Sequence, residues 1–151
     1  MGARRKAREL ALQMLFQHDL SGNPPDAIIA TFEELQKSKA NTRDFATKIF
    51  RGTVENIASI DEMIQEQAEN GRRTRMAAVD RNIIRMSIYE FLHENDTPKL
   101  VIIDEAIEIA KKFGTQKSSQ FINGILDGIL KRYNLAEDET RDRKTEGPGP
   151  R

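Results

Sequence analysis

The chain of 151 residues contains no cysteine, no tryptophan and five prolines, and its basic and acidic side chains balance to a formal charge of zero. Without cysteine it can form no disulfide and offers no thiolate to a metal. Zero charge provides no overall field to attract nucleic acid or a membrane, so electrostatic binding must be local. Its apolar runs are shorter than the roughly 18 to 20 residues that span a bilayer. We expect a cytoplasmic protein without metal or cofactor.

Apolar residues recur at spacings of three and four along most of the chain, which is typical of amphipathic helices. The longest such stripe predicts one continuous helix across residues 45–64. Gly52 lies inside this stripe, where glycine costs about 1 kcal/mol relative to alanine, so we expect a close contact with another helix there. Strand-like alternation is confined to short runs. The predicted class is all-α.

Two segments lack this periodicity. Residues 70–75 combine a glycine with polar and basic side chains, which predicts a joint between two halves. Beyond Leu135 the chain is charged and rich in glycine and proline, which predicts disorder. We therefore expect one domain over residues 1–134, with sub-bundles of about 1–70 and 71–134, followed by a disordered tail over 135–151.

Four cations, Arg4, Arg5, Lys6 and Arg8, lie where the first predicted helix begins. Positive charge is locally unfavourable there, because the helix dipole already places a partial positive charge at that end. Cations at this position are favoured if RNA phosphates supply the missing negative charge. The alternative is a solvated chain terminus. Local features leave both interpretations open.

The turn from Gly114 to Phe121 combines Lys117 with hydroxyl and amide side chains and an aromatic ring. Such a set suits single-stranded RNA, whose splayed bases stack on aromatic rings and offer their edges to polar groups. However, Phe121 stands at helical spacing from Ile125, which by itself favours a core position for its ring.

No enzyme motif is present. The sequence contains no phosphate-binding glycine loop, nucleophile elbow or zinc-protease signature, and its two histidines are isolated. One acidic cluster is followed at helical spacing by two lysines, which predicts ordinary surface pairing; it comprises Asp104, Glu105 and Glu108, with Lys111 and Lys112 following.

Several segments together resemble the transcription antitermination factor NusB family. They are ARRKARELALQMLFQHDLSG at the start, VDRNIIRMSIYEFL in the middle, and VIIDEAIEIAKKFG followed by KSSQFINGILD near the end. The resemblance extends from about Ala3 to Lys131, and its most specific parts are the arginine-rich start and FINGILD. It favours the RNA-binding interpretation of the first helix.

The resemblance implies two small helical bundles packed across each other. It also implies binding to the boxA element, a single-stranded RNA in ribosomal RNA leader transcripts, jointly with ribosomal protein S10 (NusE). The resulting assembly is an antitermination complex on RNA polymerase. We expect S10 to dock on the helices around Asp80 to Glu108.

The residues that match the family's RNA-binding positions are Arg4, Arg5, Lys6, Arg8, Phe16, Asp80, Lys117 and Phe121. Phe16 occupies the aromatic position on the first helix, and Asp80, Lys117 and Phe121 match positions that line the RNA surface. Lys117 stands where some members carry an acidic residue, and a cation there should strengthen phosphate contact.

Two alternatives come from other classes. A NusB-like fold also occurs as the accessory N-terminal domain of certain RNA cytosine methyltransferases, and that interpretation needs a methyltransferase segment that these residues do not contain. The other alternative is a homodimeric interaction protein that covers its basic helix.

Overall fold

A computed structural model of the chain describes residues 2–69 and 76–135. Every regular element in this part of the chain is a helix, which confirms the predicted all-α class. The elements are α1 (Gly2–Ser21), α2 (Pro25–Thr31), α3 (Glu33–Gln36), α4 (Ala40–Glu55), α5 (Ile57–Glu69), α6 (Ala78–His93), α7 (Lys99–Phe113) and α8 (Ser118–Arg132). The predicted joint at residues 70–75 and the predicted tail after Leu135 lie outside the described residues.

Helix α6 is the centre of the fold. Its residues 82–91 are all buried, because α1, α4, α5, α7 and α8 all pack against it. On one side α1 lies along α4, with the short helices α2 and α3 beside them, and on the other side α7 lies along α8. Helix α5 packs against α6 and α8. The predicted division into sub-bundles stays a prediction, since its boundary falls outside the described residues.

The prediction of one helix across residues 45–64 was wrong, because the chain bends at Asn56. This residue has φ −109° and ψ 17°, which ends α4 before α5 begins at Ile57. Its side-chain Nδ2 and its backbone N–H both donate to the carbonyl of Gly52, at 2.8 and 3.1 Å. An asparagine amide can replace a helical partner in this way. The bend turns α5 towards α8 while the apolar spacing continues unbroken.

The predicted close approach at Gly52 is confirmed. A Cβ atom at this position would lie 2.2 Å from Cε1 of the buried Tyr89 ring on α6. Only the absence of a side chain lets α4 lie this close to α6. The helix-propensity cost of glycine is thus a condition of the packing between these two helices.

An ionic cluster ties the C-terminal end of α1 to α5 and α6. Arg85 Nε donates to Asp61 Oδ1 at 2.8 Å, and its Nη1 donates to Asp19 Oδ1 at 3.1 Å. Asn82 Nδ2 donates to Asp19 Oδ2 at 2.9 Å. Burial alone would raise the pKa of Asp19, but the Asn82 hydrogen bond and the Arg85 charge outweigh it and lower that pKa. These contacts therefore fix the C-terminal end of α1 to α5 and α6.

Candidate nucleic-acid interface

The structure divides the four predicted cations at the start of α1 by exposure. Arg4 and Lys6 are exposed, Arg5 is partly buried, and Arg8 is only 4% exposed. Burial on α1 begins at Ala7, and residues 7–12, 14 and 15 are all buried, so Arg8 falls within the buried part of the helix and Arg4 and Lys6 precede it. The sequence pattern grouped the four side chains, but only two of them direct their charge to solvent.

Arg8 forms a bidentate ion pair with a buried carboxylate. Its Nε and Nη2 atoms donate to Glu90 Oε2 and Oε1 at 2.7 and 2.8 Å, and Glu90 is 1% exposed. Burial lowers the pKa of Arg8, but the hydrogen bonds and charge of Glu90 more than compensate and raise it overall. Arg8 is thus paired within the protein core, and its RNA contact stays a prediction.

Arg5 joins α1 to α7 through a second carboxylate. Its Nε and Nη2 atoms donate to Glu105 Oε1 and Oε2 at 2.6 and 2.9 Å, and Arg8 Nη1 lies 3.8 Å from the same Oε1. The hydrogen bonds from Arg5 lower the pKa of Glu105 below its usual range. Glu105 is therefore an anion that fixes both arginines.

Glu90 and Glu105 were missed as site residues in the sequence. Glu90 stands seven residues after Ile83, and Glu105 stands three after Ile102, so both occupy positions on an inward helix face. A carboxylate in an apolar stripe requires a buried cation, and Arg8 likewise stands beside Ala7 on the apolar face of α1. Charged residues of opposite sign on inward helix faces could therefore have predicted that Arg8 pairs with a buried glutamate.

The predicted surface pairing on α7 is only half correct. Lys111 Nζ lies 3.2 Å from Glu108 Oε2, as expected, but Lys112 Nζ lies 3.2 Å from Glu9 Oε1 on α1. Glu105 likewise reaches across to α1 rather than along its own helix. Helix α7 therefore supports the start of α1 along two turns.

The two exposed cations contact different helices, α4 and α3. The Arg4 guanidinium stacks over the Phe45 ring on α4, 3.8 Å from its centroid, a cation–π contact that orients the group while leaving its edges to solvent. Lys6 Nζ lies 3.7 Å from Glu34 Oε2, and both side chains are about half exposed (48% and 53%). Such an exposed pair is weak and exchanges easily with a stronger anion.

Phe16 lies towards the far end of α1, in an apolar groove. Its side chain is 36% exposed, and the groove has a volume of about 330 Å³. The residues that line it are Leu12, Gln13, Phe16, Gln17, Val79 and Phe113. Asp80 follows Val79 in the first turn of α6, and its Oδ1 is buried without a hydrogen-bond partner among the described residues. Phe16 therefore lines this groove, and Asp80 is the neighbour in the chain of its lining residue Val79.

Lys117 lies at the end of the turn between α7 and α8, and Phe121 lies in the first turn of α8. Lys117 is exposed, and the Phe121 N–H donates to its carbonyl at 3.2 Å. Phe121 is half-buried against the core, so one part of its ring remains accessible. This turn follows Phe113, which lines the Phe16 groove. Since Arg4 and Phe16 are twelve residues apart on α1, the predicted residues are spread over roughly 18 Å instead of one pocket.

If Phe121 stacks on a base, as the sequence predicts, replacing it by alanine should weaken RNA binding by about 1 to 3 kcal/mol. The free energy of unfolding should fall by no more than about 2 kcal/mol, since the ring is only half-buried. Denaturant unfolding and an RNA titration measure the two effects.

Phe121→Leu is the matched control, because it retains apolar packing but removes the aromatic face. It should lose RNA affinity while its stability stays close to that of the parent chain. If Phe121→Leu binds RNA as tightly as the parent, the ring serves only the core.

These observations define a small all-helical protein. Its first helix exposes cations at its N-terminal end and is held by ion pairs to α6 and α7. The model of the NusB family matches residues 5–131, and the chain belongs to that family. The family prediction is confirmed.

The relatives match nearly the whole chain. The transcription antitermination protein NusB of Geobacter sulfurreducens is 48% identical over 130 residues, which are 85% of this chain and 94% of that protein. The NusB of Sorangium cellulosum is 38% identical over 143 residues, 95% of this chain and all of that protein.

Solved structures share the fold. Thermotoga maritima NusB superposes with a TM-score of 0.76 at 37% identity, covering 89% of this chain and 96% of that one. A chain from a crystal structure of antitermination factors NusB and NusE in complex with dsRNA superposes with a TM-score of 0.78 at 26% identity, covering 88% and 99%.

Proposed function

We propose that this chain is a transcription antitermination factor that binds boxA-type RNA of ribosomal RNA leader transcripts together with S10 (NusE), within a complex on RNA polymerase. It acts by binding, without catalysis. The observation that carries the proposal is the pair of exposed cations Arg4 and Lys6 at the start of a helix. Ion pairs of Arg5 with Glu105 and of Arg8 with Glu90 hold that helix start in place. The NusB chain that was crystallised with NusE and RNA shares this fold.

The RNA backbone contacts Arg4 and Lys6 in this proposal, and Arg5 and Arg8 act as positioning residues. The paired carboxylates Glu105 and Glu90 already neutralise Arg5 and Arg8, so a phosphate gains little from them. Arg4 and Lys6 can each exchange a weak contact for a phosphate, which supplies the affinity that depends on salt. Lys117, in the turn before α8, and Phe121, in the first turn of α8, contact further nucleotides.

S10 docks beside the groove that Phe16 and Val79 line. An apolar groove suits a protein side chain better than a phosphate, and the neighbouring Leu20 is 73% exposed, which adds to the apolar area. Asp80 follows Val79 at the start of α6, so it lies beside the S10 contact in this proposal. This places S10 at one end of the predicted Asp80–Glu108 region and assigns Phe16 and Asp80 to the protein partner.

The experiment that tests RNA binding replaces Arg4 and Lys6 together by alanine. The slope of log K against log salt for boxA-type RNA should decrease by about 1.4, since each lost phosphate contact removes roughly 0.7 for a single strand. Stability should change little, because neither side chain is buried. A titration by fluorescence anisotropy at several salt concentrations gives the slopes.

The matched control is Lys131→Ala with Arg132→Ala, which removes one lysine and one arginine from the exposed end of α8. This control should retain the slope of the parent chain. Equal slopes for the parent, the control and the Arg4/Lys6 variant would contradict the assignment of RNA contact to the start of α1.

A further inference from the structure

The cations of the described residues differ in whether a carboxylate neutralises them. Those with a carboxylate of this part of the chain nearby are Arg5, Lys6, Arg8, Lys48, Arg51, Arg81, Arg85, Lys111, Lys112 and Lys131. Lys37 and Lys39 have no such partner among residues 2–69 and 76–135, and both are exposed. Arg4, Arg43, Lys117 and Arg132 also have no ion pair within those ranges, but Lys37 and Lys39 bring two such cations into the single turn between α3 and α4.

Lys37 and Lys39 face Lys6 across a groove, which we call the lysine groove. Its volume is about 510 Å³, and its lining comprises Ala3, Lys6, Glu34, Lys37, Ser38, Lys39 and Thr42. The charged residues of the lining are three lysines and one glutamate, so the groove is positively charged. No aromatic or large aliphatic side chain contributes to the lining. Arg43 Nη1 donates to the Ser38 carbonyl at 2.9 Å, which fixes the turn that carries both lysines.

The lysine groove continues the basic surface of α1. Ala3 and Lys6 belong to α1, so the groove begins where the proposed RNA contacts are. On α4, Thr42 in the groove lies one helical turn from Phe45, on which Arg4 is stacked. A single strand that crosses Arg4 and Lys6 can therefore continue into the groove without leaving positive surface.

We propose that the lysine groove is a further phosphate-binding site, which takes the backbone of nucleotides flanking the boxA element. This rests on the proposed function. Lysine ammonium groups are point charges that bind phosphate without reading bases, so the site adds affinity for flanking RNA of any sequence. An acidic protein segment would be attracted by the same charge, but continuity with Arg4 and Lys6 favours RNA.

The test uses the full chain with Lys37 and Lys39 replaced together by alanine, and two RNAs. One RNA is the boxA element alone, and the other is the same element extended on both sides by uridine tracts. For the extended RNA, the slope of log K against log salt should be smaller by about 1.4 with the variant than with the parent chain. Its affinity at 0.1 M salt should be lower by roughly tenfold or more. Binding of the short RNA should not change.

The Lys131→Ala/Arg132→Ala control should bind both RNAs like the parent chain. If the parent binds the extended RNA and the Lys37/Lys39 variant binds it equally well, the inference is overturned and the proposed function stands. Equal losses on the two RNAs overturn the assignment to flanking nucleotides. Loss of binding to polyglutamate with unchanged RNA binding would instead assign the groove to an acidic protein. If the parent binds neither RNA, the proposed function itself fails.

Discussion

Replacing Arg8 by methionine is expected to lower the free energy of unfolding by about 3 to 5 kcal/mol. The substitution removes both hydrogen bonds to Glu90 and leaves that carboxylate buried without a counter-charge. An uncompensated buried charge is among the most costly single defects in a core. Urea unfolding followed by circular dichroism measures the change.

Two further variants test whether the lost stability comes from the buried Arg8–Glu90 pair or from the removal of any positive charge on α1. Arg8→Met combined with Glu90→Leu should recover most of the lost stability, because a packed apolar pair can replace a buried ion pair at little cost. Arg4→Met should cost at most about 1 kcal/mol, the value of an exposed cation–π contact. If Arg8→Met were as stable as the parent but bound RNA with a smaller salt slope, Arg8 would be a phosphate contact after all.

Replacing Gly52 by alanine is expected to lower the free energy of unfolding by about 2 to 3 kcal/mol. In most helices this substitution stabilises by about 1 kcal/mol, because alanine is the better helix former. Here the new Cβ would overlap the buried, rigid ring of Tyr89, so α4 must move away from α6. The same unfolding measurement applies.

The control for Gly52→Ala adds Tyr89→Leu, which removes the ring that the new methyl group would meet. The double variant should be more stable than the sum of the two single changes predicts, since the overlap no longer exists. If the two changes in the free energy of unfolding simply add, the Tyr89 ring does not exclude a side chain at position 52.

The sequence predicted the class and the core faces of the helices well, because apolar spacing reports which side of a helix is buried. It also predicted the close contact at Gly52, because glycine destabilises a helix and is therefore expected there only where another helix packs closely. It did not predict the bend at Asn56. A single side-chain amide bonded to Gly52 makes that bend, and the apolar stripe continues on both sides of it.

The candidate site was harder to predict for a similar reason. The basic run indicated where charge is concentrated but not which cations are already neutralised. Arg8 stands beside Ala7 on the apolar face of α1, which distinguishes it from Lys6. Only the fold shows that Glu90 pairs with Arg8 in the core, whereas Glu34 lies near Lys6 at the surface. Those partners come from α6 and α3, so the distinction depends on tertiary packing. Lys37 and Lys39 attracted no notice in the sequence because the fold alone brings them beside Lys6.

The most direct test of the account is a titration of boxA-type RNA with this protein at fixed S10, compared with the same titration without S10. Protein of known mass in solution is required, so that a homodimer is recognised. The start of α1 offers few phosphate contacts, which alone give weak and poorly selective binding at physiological salt. We predict that S10 tightens RNA binding at least tenfold, about 1.4 kcal/mol of coupling, and that RNA tightens S10 binding equally. Equal dissociation constants with and without S10 would contradict joint recognition.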